Sequence, residues 1–432
     1  MLTTFLRAFK TPDLRKKLLF TLGIIVVFRL GQNLPTPGID ITAVKTCTDA
    51  AANGGQSDLF NVVNLFSGGA LLKLSVFALG IYPYVTASII LQLLTAVIPR
   101  LETLKKEGQA GTAKITQYTR YLTVGLAVLQ GTGIVATAAT GNLFSTCRSR
   151  LLHDTHVFTI TTMVICMVAG TAVIMWLGEL ITDKGIGNGM SIMIFTQIVA
   201  VFPQEFWNIF KSKGGFTFTL VILLSIAIIA GVVFVEQAQR RIPVQYAKRM
   251  VGRRMYGGTS TYIPLKVNQA GVIPVIFASS LMYLPALATQ LFRSNAFLNR
   301  TLAPYLKQDN PWHMAIYFTM IVFFTYFYVA ITFNPTEVAD NMKKYGGFIP
   351  GIRPGRPTAE YLDYVLARIT APGALYLGLI ALLPLSAFAV MGATQDFPFG
   401  GTSLLIVVGV GLDTVKQIES QLQQRNYEGF LR

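Results

Sequence analysis

Few residues of this chain have the types and spacing that chemistry at a protein site requires. Its three histidines, His153, His156 and His313, form no HExxH pair, and there is neither a GxSxG elbow nor a GxxxxGKS/T phosphate loop. The glycine-rich stretch 185–189 lacks the GxGxxG spacing and follows no predicted strand. We therefore expect no catalytic residue, no cofactor and no metal site, and predict that the protein is not an enzyme.

The three cysteines are Cys47, Cys147 and Cys166, and they include no CxxC pair. Cys147 with His153 and His156 comes nearest to a metal cluster, but ligation needs more converging groups than these. Cys47 and Cys147 fall in predicted extracytoplasmic loops, where an oxidising compartment could join them. A Cys47–Cys147 disulfide and two free thiols both remain open, whereas Cys166 is expected to be a free thiol within a span.

The composition is that of a membrane protein. Hydrophobic residues make up 52% of the 432 residues and charged residues 13%, against about 25% charged residues in an ordinary soluble domain. The net charge of +16 can indicate nucleic acid or the cytoplasmic face of a membrane. The basic residues lie between apolar runs, which favours the membrane.

Ten apolar stretches approach the length of about 20 residues that a bilayer core requires of a helix. The sequence therefore predicts an all-α polytopic membrane protein. The expected spans are 18–34, 73–98, 119–139, 157–181, 188–203, 217–236, 269–291, 313–333, 372–391 and 399–422.

The Lys and Arg residues give these spans an orientation. Of the 36 Lys and Arg residues, 26 lie in the two terminal segments and in alternate loops, and the intervening loops hold 8. Since cytoplasmic loops carry the excess of positive charge, both termini are predicted to lie in the cytoplasm. The longest cytoplasmic loops are then 237–268 and 334–371.

An internal repeat relates the two parts of the chain. The second span contains GIYPYVTAS (80–88) and the seventh contains GVIPVIFAS (271–279), with Gly, Pro, Ala and Ser at identical offsets. GMSIMI (189–194) in the fifth span matches GTSLLI (401–406) in the tenth in the same way. The match predicts two five-span halves, 1–203 and 217–432, joined by an extracytoplasmic hinge loop at 204–216. An odd number of spans inverts the second half, and inverted repeats place a pathway at their interface.

Charged residues within the spans are scarce. Arg29, Glu179 and Asp413 lie near span ends, and no chain of Asp, Glu or His crosses the predicted midplane. An ion-coupled small-solute transporter with inverted repeats is the alternative function, and it would need such a midplane charge. The repeat-related residues are instead aliphatic, and if they converge they form a dry ring that gates by dewetting. They are Val85, Ile194, Ile276 and Ile406.

The apolar stretch Leu59–Leu72 is too short to span a membrane and contains Ser67, Gly68 and Gly69. Apolar segments of about 10–14 residues are often re-entrant. An interfacial loop helix explains the pattern equally well.

At these positions the sequence resembles the SecY/Sec61-alpha family of protein-conducting channel subunits. The resemblance runs through nearly the whole chain and is weaker in loops 40–58, 140–156 and 293–312. The segments that carry it are 66–94, 105–123, WLGELITDKGIGNGMSIMIF (176–195), QRRIPVQYAKR (239–249), 260–280, FNPTEVADNMKKYGGFIPGIRPG (333–355) and 400–409.

The resemblance implies a clamshell of two five-helix halves with a pore constricted at the midplane. It makes the segment 59–72 a short re-entrant plug helix. The implied plug residues are Leu59, Phe60, Asn61, Val62, Val63, Asn64, Leu65, Phe66, Ser67, Gly68 and Gly69.

The resemblance also assigns residues to the pore and to a lateral gate. Val85 and Met190 stand where relatives more usually have Ile, which bears on how tightly the ring closes. The lateral gate, between the second and third spans on one side and the seventh and eighth on the other, has the polar residues Thr86, Gln130 and Asn268. The implied pore ring consists of Ile81, Val85, Met190, Ile194, Ile276 and Ile406.

Partners follow from the resemblance as well. It implies that energy comes from the SecA motor ATPase or the ribosome, docked on the two long cytoplasmic loops. The small membrane subunits SecE and SecG, membrane lipid, signal-sequence-bearing polypeptides, YidC and SecDF are the other implied partners, and the location is the bacterial cytoplasmic membrane. The implied docking residues are Arg240, Arg241, Arg253, Arg254 and Arg353.

Overall fold

A computed structural model describes most of the chain. The described residues are 9–54, 68–71, 73–139, 152, 156–246, 249–251, 254–256, 260–291, 305, 310–391 and 401–428.

Helices dominate the described part of the chain. In order along the first half they are α1 Pro12–Gly31, α2 Ile41–Gly54, α3 Tyr82–Val97, α4 Pro99–Lys106, α5 Gln109–Ala139, α6 Val157–Lys184 and α7 Gly189–Gln237. The strands β1 Gln239–Tyr246, β2 Arg249–Val251, β3 Arg254–Tyr256 and β4 Ser260–Lys266 follow, and then come α8 Ile273–Leu291, α9 Pro311–Thr332, α10 Pro335–Lys344, β5 Gly347–Phe348, α11 Arg356–Met391 and α12 Gly401–Glu428.

The five strands correct the expectation of an all-α chain. β1 pairs antiparallel with β4 over seven residue pairs, from Gln239↔Lys266 to Gln245↔Ser260. β1 also pairs with β5 through Tyr246↔Gly347. These residues fall in the two predicted cytoplasmic loops, 237–268 and 334–371. The partner that makes β5 a strand is about a hundred residues away in the sequence.

The strands and helices around them form one body, which we call the platform: β1, β4, β5, α10 and the first turns of α11. Its core contains residues of both predicted cytoplasmic loops, 237–268 and 334–371. The buried residues of this core are Ile242, Val244, Leu265, Met342, Ile349, Leu362 and Val365. The two loops are therefore packed as a single unit at one end of the molecule.

The second predicted span is helical only from Tyr82. Residues 73–81 form turns, and Ser75 makes an isolated bridge to Pro35. At its other end the helix breaks before Pro99, and α4 leaves at 99° to α3. Proline favours the first turn of a new helix and disfavours helical backbone in the residue before it, which explains the break at Ile98.

The segment 204–216, predicted as a hinge loop, is largely helical. Helical backbone runs through it, with a break at Gly214, whose φ is 81° and ψ 172°. Phe210 packs edge-on against Phe218 with the ring centroids 5.4 Å apart, and Phe206 packs against Phe218 at 6.4 Å. These ring contacts, which we call the aromatic corner, join the helical segments on the two sides of Gly214.

Five described helices are long and apolar enough to cross a membrane, or six if the bent pair α3 and α4 counts as one span. Shorter apolar helices at 189–203 and 273–282 fall on two further predicted spans. The five are Gln109–Ala139, Val157–Lys184, Gly214–Gln237, Pro311–Lys344 and Arg356–Leu383.

The paired sequence motifs have the same local geometry. Gly80 and Gly271 both have left-handed backbone, with φ of 57° and 60°. Each lies two residues before a helix, α3 or α8, whose second residue is proline. A residue with a side chain rarely adopts this φ, so glycine at both places fixes the same turn into the helix.

The apolar interior consists of separate clusters. The first cluster is built mainly from α1, α3, α6 and the start of α7, and includes Phe28, Ile174 and Met193. The second is built mainly from the end of α7 with α8, α9, α11 and α12, and includes Val275 and Leu377. Each cluster therefore belongs largely to one half of the chain.

Helices α6 and α7 approach closely at a pair of glycines. A Cβ on Gly189 would lie 1.8 Å from the Gly178 carbonyl oxygen, and the Gly189 N–H donates to the Thr182 hydroxyl at 2.9 Å. We expect Gly189→Ala to lower the free energy of unfolding by about 2 kcal/mol, because backbone must move to admit the methyl group. Heating in detergent, followed by size-exclusion chromatography, measures the loss.

Gly231→Ala is the matched control for this prediction. Nothing lies within 4 Å of a Cβ placed there, and alanine favours helix over glycine by about 1 kcal/mol. The control variant should melt at or above the temperature of the unmodified protein. If both variants melt alike, the close approach of α6 and α7 does not constrain the fold.

Candidate pore and lateral gate

All six predicted pore-ring residues belong to the first hydrophobic cluster. Ile81, Ile194 and Ile406 are buried within it, and Val85, Met190 and Ile276 are partly buried against it. They come from the start of α3, from α7, α8 and α12, so four separate segments of the chain bring aliphatic side chains to one place.

The first and second hydrophobic clusters meet at some of these residues. Val85 and Ile276 pack against the first cluster and against the second. Phe202 and Val272 do the same. The boundary between the two halves of the chain therefore passes through the predicted ring.

Met190 has a neighbour that the sequence could not indicate. A Cβ on Gly178 of α6 would lie 2.6 Å from the Met190 sulfur, so the thioether covers this glycine. Methionine is flexible and fills irregular gaps. Met190 therefore packs against α6 and is also one of the predicted ring residues.

The three predicted gate residues are buried, but none bonds to another. Thr86 donates to the Tyr82 carbonyl oxygen of its own helix at 3.0 Å. Asn268 donates through Nδ2 to Glu236 Oε2 at 3.1 Å and to the Gly271 carbonyl oxygen at 3.2 Å. Gln130 Nε2 and Asn268 Oδ1 are buried without hydrogen-bond partners.

A hydrogen bond between the halves was missed by sequence reasoning. The Tyr82 hydroxyl on α3 donates to the Ser280 carbonyl oxygen on α8 at 3.2 Å, and both residues are buried. α8 also contacts α5. No periodicity or motif signals this pair, because one partner is a backbone oxygen 198 residues away.

A cavity of about 370 Å³ lies between helices of the two halves. Its walls come from α3, α4 and α5 in the first half and from α8 and α9 in the second. Ser88, Lys105, Thr116, Phe277 and Tyr328 are among its lining residues. The space between the predicted gate helices is therefore partly polar and shared by both halves.

Within the first half, α5 and α6 are joined by a bidentate ion pair. Arg120 Nε lies 2.8 Å from Glu179 Oε1, and Nη2 lies 2.6 Å from Oε2. Such fork-shaped pairs are stronger and more directional than single contacts. The pair holds the gate helix α5 to its own half.

Most of the predicted plug, residues 59–67, lies outside the described residues. Its end is described: Gly68 and Gly69 have φ of 64° and 86°. Arg29 of α1 donates to the Gly68 carbonyl oxygen at 3.2 Å and also to the Gln32 side chain. The arginine within the first predicted span is thus bonded to the chain that leaves the plug segment.

The cysteine alternatives are partly resolved. Cys47 is disulfide-bonded, and its predicted partner Cys147 lies outside the described residues. Cys166 in α6 is free, as expected. No three His, Cys, Asp or Glu side chains of the described segments gather closely enough to hold a metal ion.

Of the predicted docking arginines, those that the structure describes lie on the platform or, for Arg254, in β3, which follows β1 in the chain. Arg240 and Arg241 are exposed on β1, and the Arg241 guanidinium lies over the Tyr262 ring at 4.8 Å. Arg254 is in β3, and Arg253 lies outside the described residues.

Arg353 is exposed at the tip of a turn between β5 and α11. Its carbonyl oxygen accepts from the Thr358 hydroxyl at 2.8 Å, and the Ile352 N–H donates to the Ile349 carbonyl oxygen at 3.0 Å. The main chain at the tip is fixed by these bonds. The guanidinium itself projects to the outside of the platform.

Comparison with known proteins identifies related sequences. A model of the SecY family matches residues 75–415, a stretch that contains all six predicted ring residues. Protein translocase subunit SecY of Streptomyces coelicolor is 69% identical, and that of Mycobacterium tuberculosis is 60% identical, each over 442 residues and 100% of both chains.

Solved structures resemble the fold. A protein-conducting channel superposes with a TM-score of 0.64 at 18% identity, over 94% of this chain and 91% of that one. Sec61 from a canine ribosome–channel complex of the endoplasmic reticulum gives 0.62 at 17% identity, over the same shares. At these identities the likeness concerns the fold alone.

Proposed function

Because the chain belongs to the SecY family, we propose that it is the channel-forming subunit of a protein translocase. Unfolded polypeptides pass through it, and apolar segments leave it sideways into lipid. The observation that carries this proposal is the meeting of two halves at an aliphatic cluster, where Val85 and Ile276 pack against both interiors. The chain itself performs no catalysis and holds no cofactor.

The proposed architecture is a clamshell of ten spans in two inverted halves, 1–203 and 217–432. The matching turns at Gly80 and Gly271 support the inverted repeat. The break at Gly214, with its aromatic corner, supports a reversal of the chain between the halves. Residues 59–72 act as the plug on the extracytoplasmic side.

The aliphatic ring suits a channel that must accept many sequences. Side chains such as Ile406 and Ile276 can close around a moving chain without hydrogen-bonding to it, while they exclude water and ions. Hydrophobic constrictions close by dewetting. A solute carrier would instead need a charged midplane site, whereas the Glu179 carboxylate lies near a predicted span end and is bonded to Arg120.

The lateral gate opens between α3 and α5 on one side and α8 and α9 on the other. The Tyr82–Ser280 hydrogen bond is the polar contact that must break, and one such bond contributes about 1 kcal/mol. That is weak enough for an arriving signal sequence to break it. The cavity lined by Ser88 and Phe277 offers the space at which such a segment enters.

The platform is the proposed docking site for the energy source. SecA or a ribosome contacts the exposed Arg353 and Arg240, together with Arg241, Arg253 and Arg254. Solved channels of this fold include ribosome-bound complexes, which supports the ribosome as a partner. SecE and SecG complete the membrane complex, and YidC and SecDF assist it. The excess of Lys and Arg in alternate loops supports a cytoplasmic location of both termini in a bacterium.

Purification from native membranes tests this function. SecE and SecG should elute with the chain, and SecA should bind the complex. Reconstituted vesicles supplied with SecA and ATP should move a signal-bearing polypeptide into a protease-protected space. Protection that is independent of ATP and of the signal sequence, or uptake of a small solute by the chain alone, would contradict the proposal.

A further inference from the structure

Gln197 on α7 is a buried amide whose hydrogen-bonding groups are unsatisfied among the residues that the structure describes. Its side chain is fully buried, and neither Nε2 nor Oε1 has a partner in that part of the chain. Leaving an amide unsatisfied in an apolar interior costs free energy, so each such group in a folded protein requires an explanation.

Gln197 shares a helix face with two ring residues. Met190, Ile194, Gln197 and Val201 follow at intervals of four, three and four residues, which places them on one stripe of α7. Three residues of helix rise by about 4.5 Å. Gln197 therefore lies about one turn beyond Ile194.

Ser280 occupies the equivalent place on α8. It follows Ile276 by four residues, is buried, and its hydroxyl also lacks a partner. Ser403 on α12 precedes Ile406 by three residues and is fully buried. Three helices that supply the ring thus each carry a polar residue one turn away from it.

These residues lie on the same side of the ring. α8 begins directly after β4 of the platform, and Asp413 of α12 pairs with Lys266 at the end of β4 at 3.7 Å. Ile186, just before α7, packs with Ile418 of α12. The part of α7 before the break at Gly214 and α8 therefore run away from the platform, and α12 runs toward it. All three polar residues thus lie on the side of the ring away from the platform.

We propose that Gln197 and Ser280 form a polar layer that hydrogen-bonds the main chain of the translocating polypeptide as it leaves the aliphatic ring. The proposal rests on the channel function and adds a substrate contact to it. Every residue of an extended chain offers an N–H and a C=O, and a glutamine amide both donates and accepts. Inside the ring the chain has lost its water, so the first polar groups beyond the ring meet main-chain groups without partners.

The layer also affects the balance between closed and occupied channels. In the closed cluster the Gln197 amide is unsatisfied, whereas an inserted chain satisfies it. A ligand that interacts better with one state shifts the equilibrium toward that state. The polar layer thus disfavours the empty closed ring and favours the occupied one.

Apolar replacement of Gln197 tests the layer in the whole translocase complex. Gln197→Met keeps the size of the side chain but removes its hydrogen-bonding groups, and should slow polypeptide translocation roughly fivefold. Gln197→Asn keeps an amide and should stay within about twofold of the unmodified rate. Thr196→Val is the matched control, because the Thr196 hydroxyl bonds only to its own helix at Ile192, and it should translocate normally.

Substrate dependence distinguishes main-chain from side-chain recognition. Two substrates with one signal sequence and different mature regions should be slowed by Gln197→Met by the same factor, since the main chain is common to both. A photo-reactive residue at position 197 should cross-link to a stalled chain, and one at position 196 should not.

The outcomes separate this proposal from the channel function. If the unmodified complex moves polypeptides and Gln197→Met does so at the same rate, the layer is wrong and the channel function stands. A lowered melting temperature with an unchanged rate would assign the Gln197 amide to hydrogen bonds with a buried water, and would overturn the layer. Should Gln197→Met fail to fold, Ser280→Ala replaces it: a slowdown of about twofold supports the layer, and an unchanged rate together with no cross-link from position 197 overturns it.

Discussion

Vesicles containing the Ile406→Asn variant should leak ions at rest and export substrates whose signal sequences are defective. The side chain of Ile406 is 1% exposed, so the change removes about 2 kcal/mol of apolar burial. It also places an amide without partners in the cluster, which costs about 1–3 kcal/mol more. Both terms weaken the dry closed ring relative to a wetted one. Ile276→Asn acts in the same direction but less strongly, because Ile276 is only partly buried.

Single-channel conductance in planar bilayers measures the leak, and secretion of a reporter with a defective signal measures the loss of selection. Ile406→Leu is the matched control, since it keeps the apolar volume and should leave both quantities unchanged. Resting conductance and reporter secretion at the unmodified level in both Asn variants would refute the ring.

The second large effect is expected at Arg353. Arg353→Glu and Arg353→Lys should leave membrane insertion and abundance normal, because the side chain is exposed and the turn is held by main-chain bonds. Export driven by SecA should fall by about tenfold, since guanidinium presents five donors in a rigid fork that matches a carboxylate, and the ammonium group of lysine cannot reproduce it.

Arg356 provides the control for Arg353, because it lies three residues further on, at the start of α11, and is also exposed. Its guanidinium already pairs with Glu360 at 3.0 Å within α11. Arg356→Lys should therefore export normally. If Arg353→Lys supports unmodified export in vesicles, charge alone matters and the coupling role is wrong.

The sequence anticipated those features that depend on local pattern. Hydrophobic length located the long helices, because each one must present an apolar surface of fixed length to lipid. The repeat of glycine and proline offsets anticipated the equal turns at Gly80 and Gly271, since the same residues impose the same backbone. The family resemblance added Ile81 and Met190 to the predicted ring. Ile81 is buried in the first cluster, and Met190 packs against it.

Features that depend on distant partners could not be predicted. β5 is a strand only because Tyr246 lies beside Gly347, and the Tyr82 bond ends on a backbone oxygen, which has no sequence signature. The resemblance places Asn268 at the lateral gate, but its amide donates to Glu236 at the end of α7. Charge and periodicity are properties of a single segment. They could not predict these contacts, because each contact joins two segments that are distant in the sequence.

The shared platform has a mechanical consequence. β1 follows α7, β4 leads into α8, and β5 lies between α10 and α11, so one three-stranded sheet is joined to several helices at once. Under the proposed function, a motor that pushes on the Arg353 turn would load this sheet and, through it, the predicted gate helix α8. The docking point and the helix that moves would then not need to touch, because a tilt of the sheet would turn the helices joined to it.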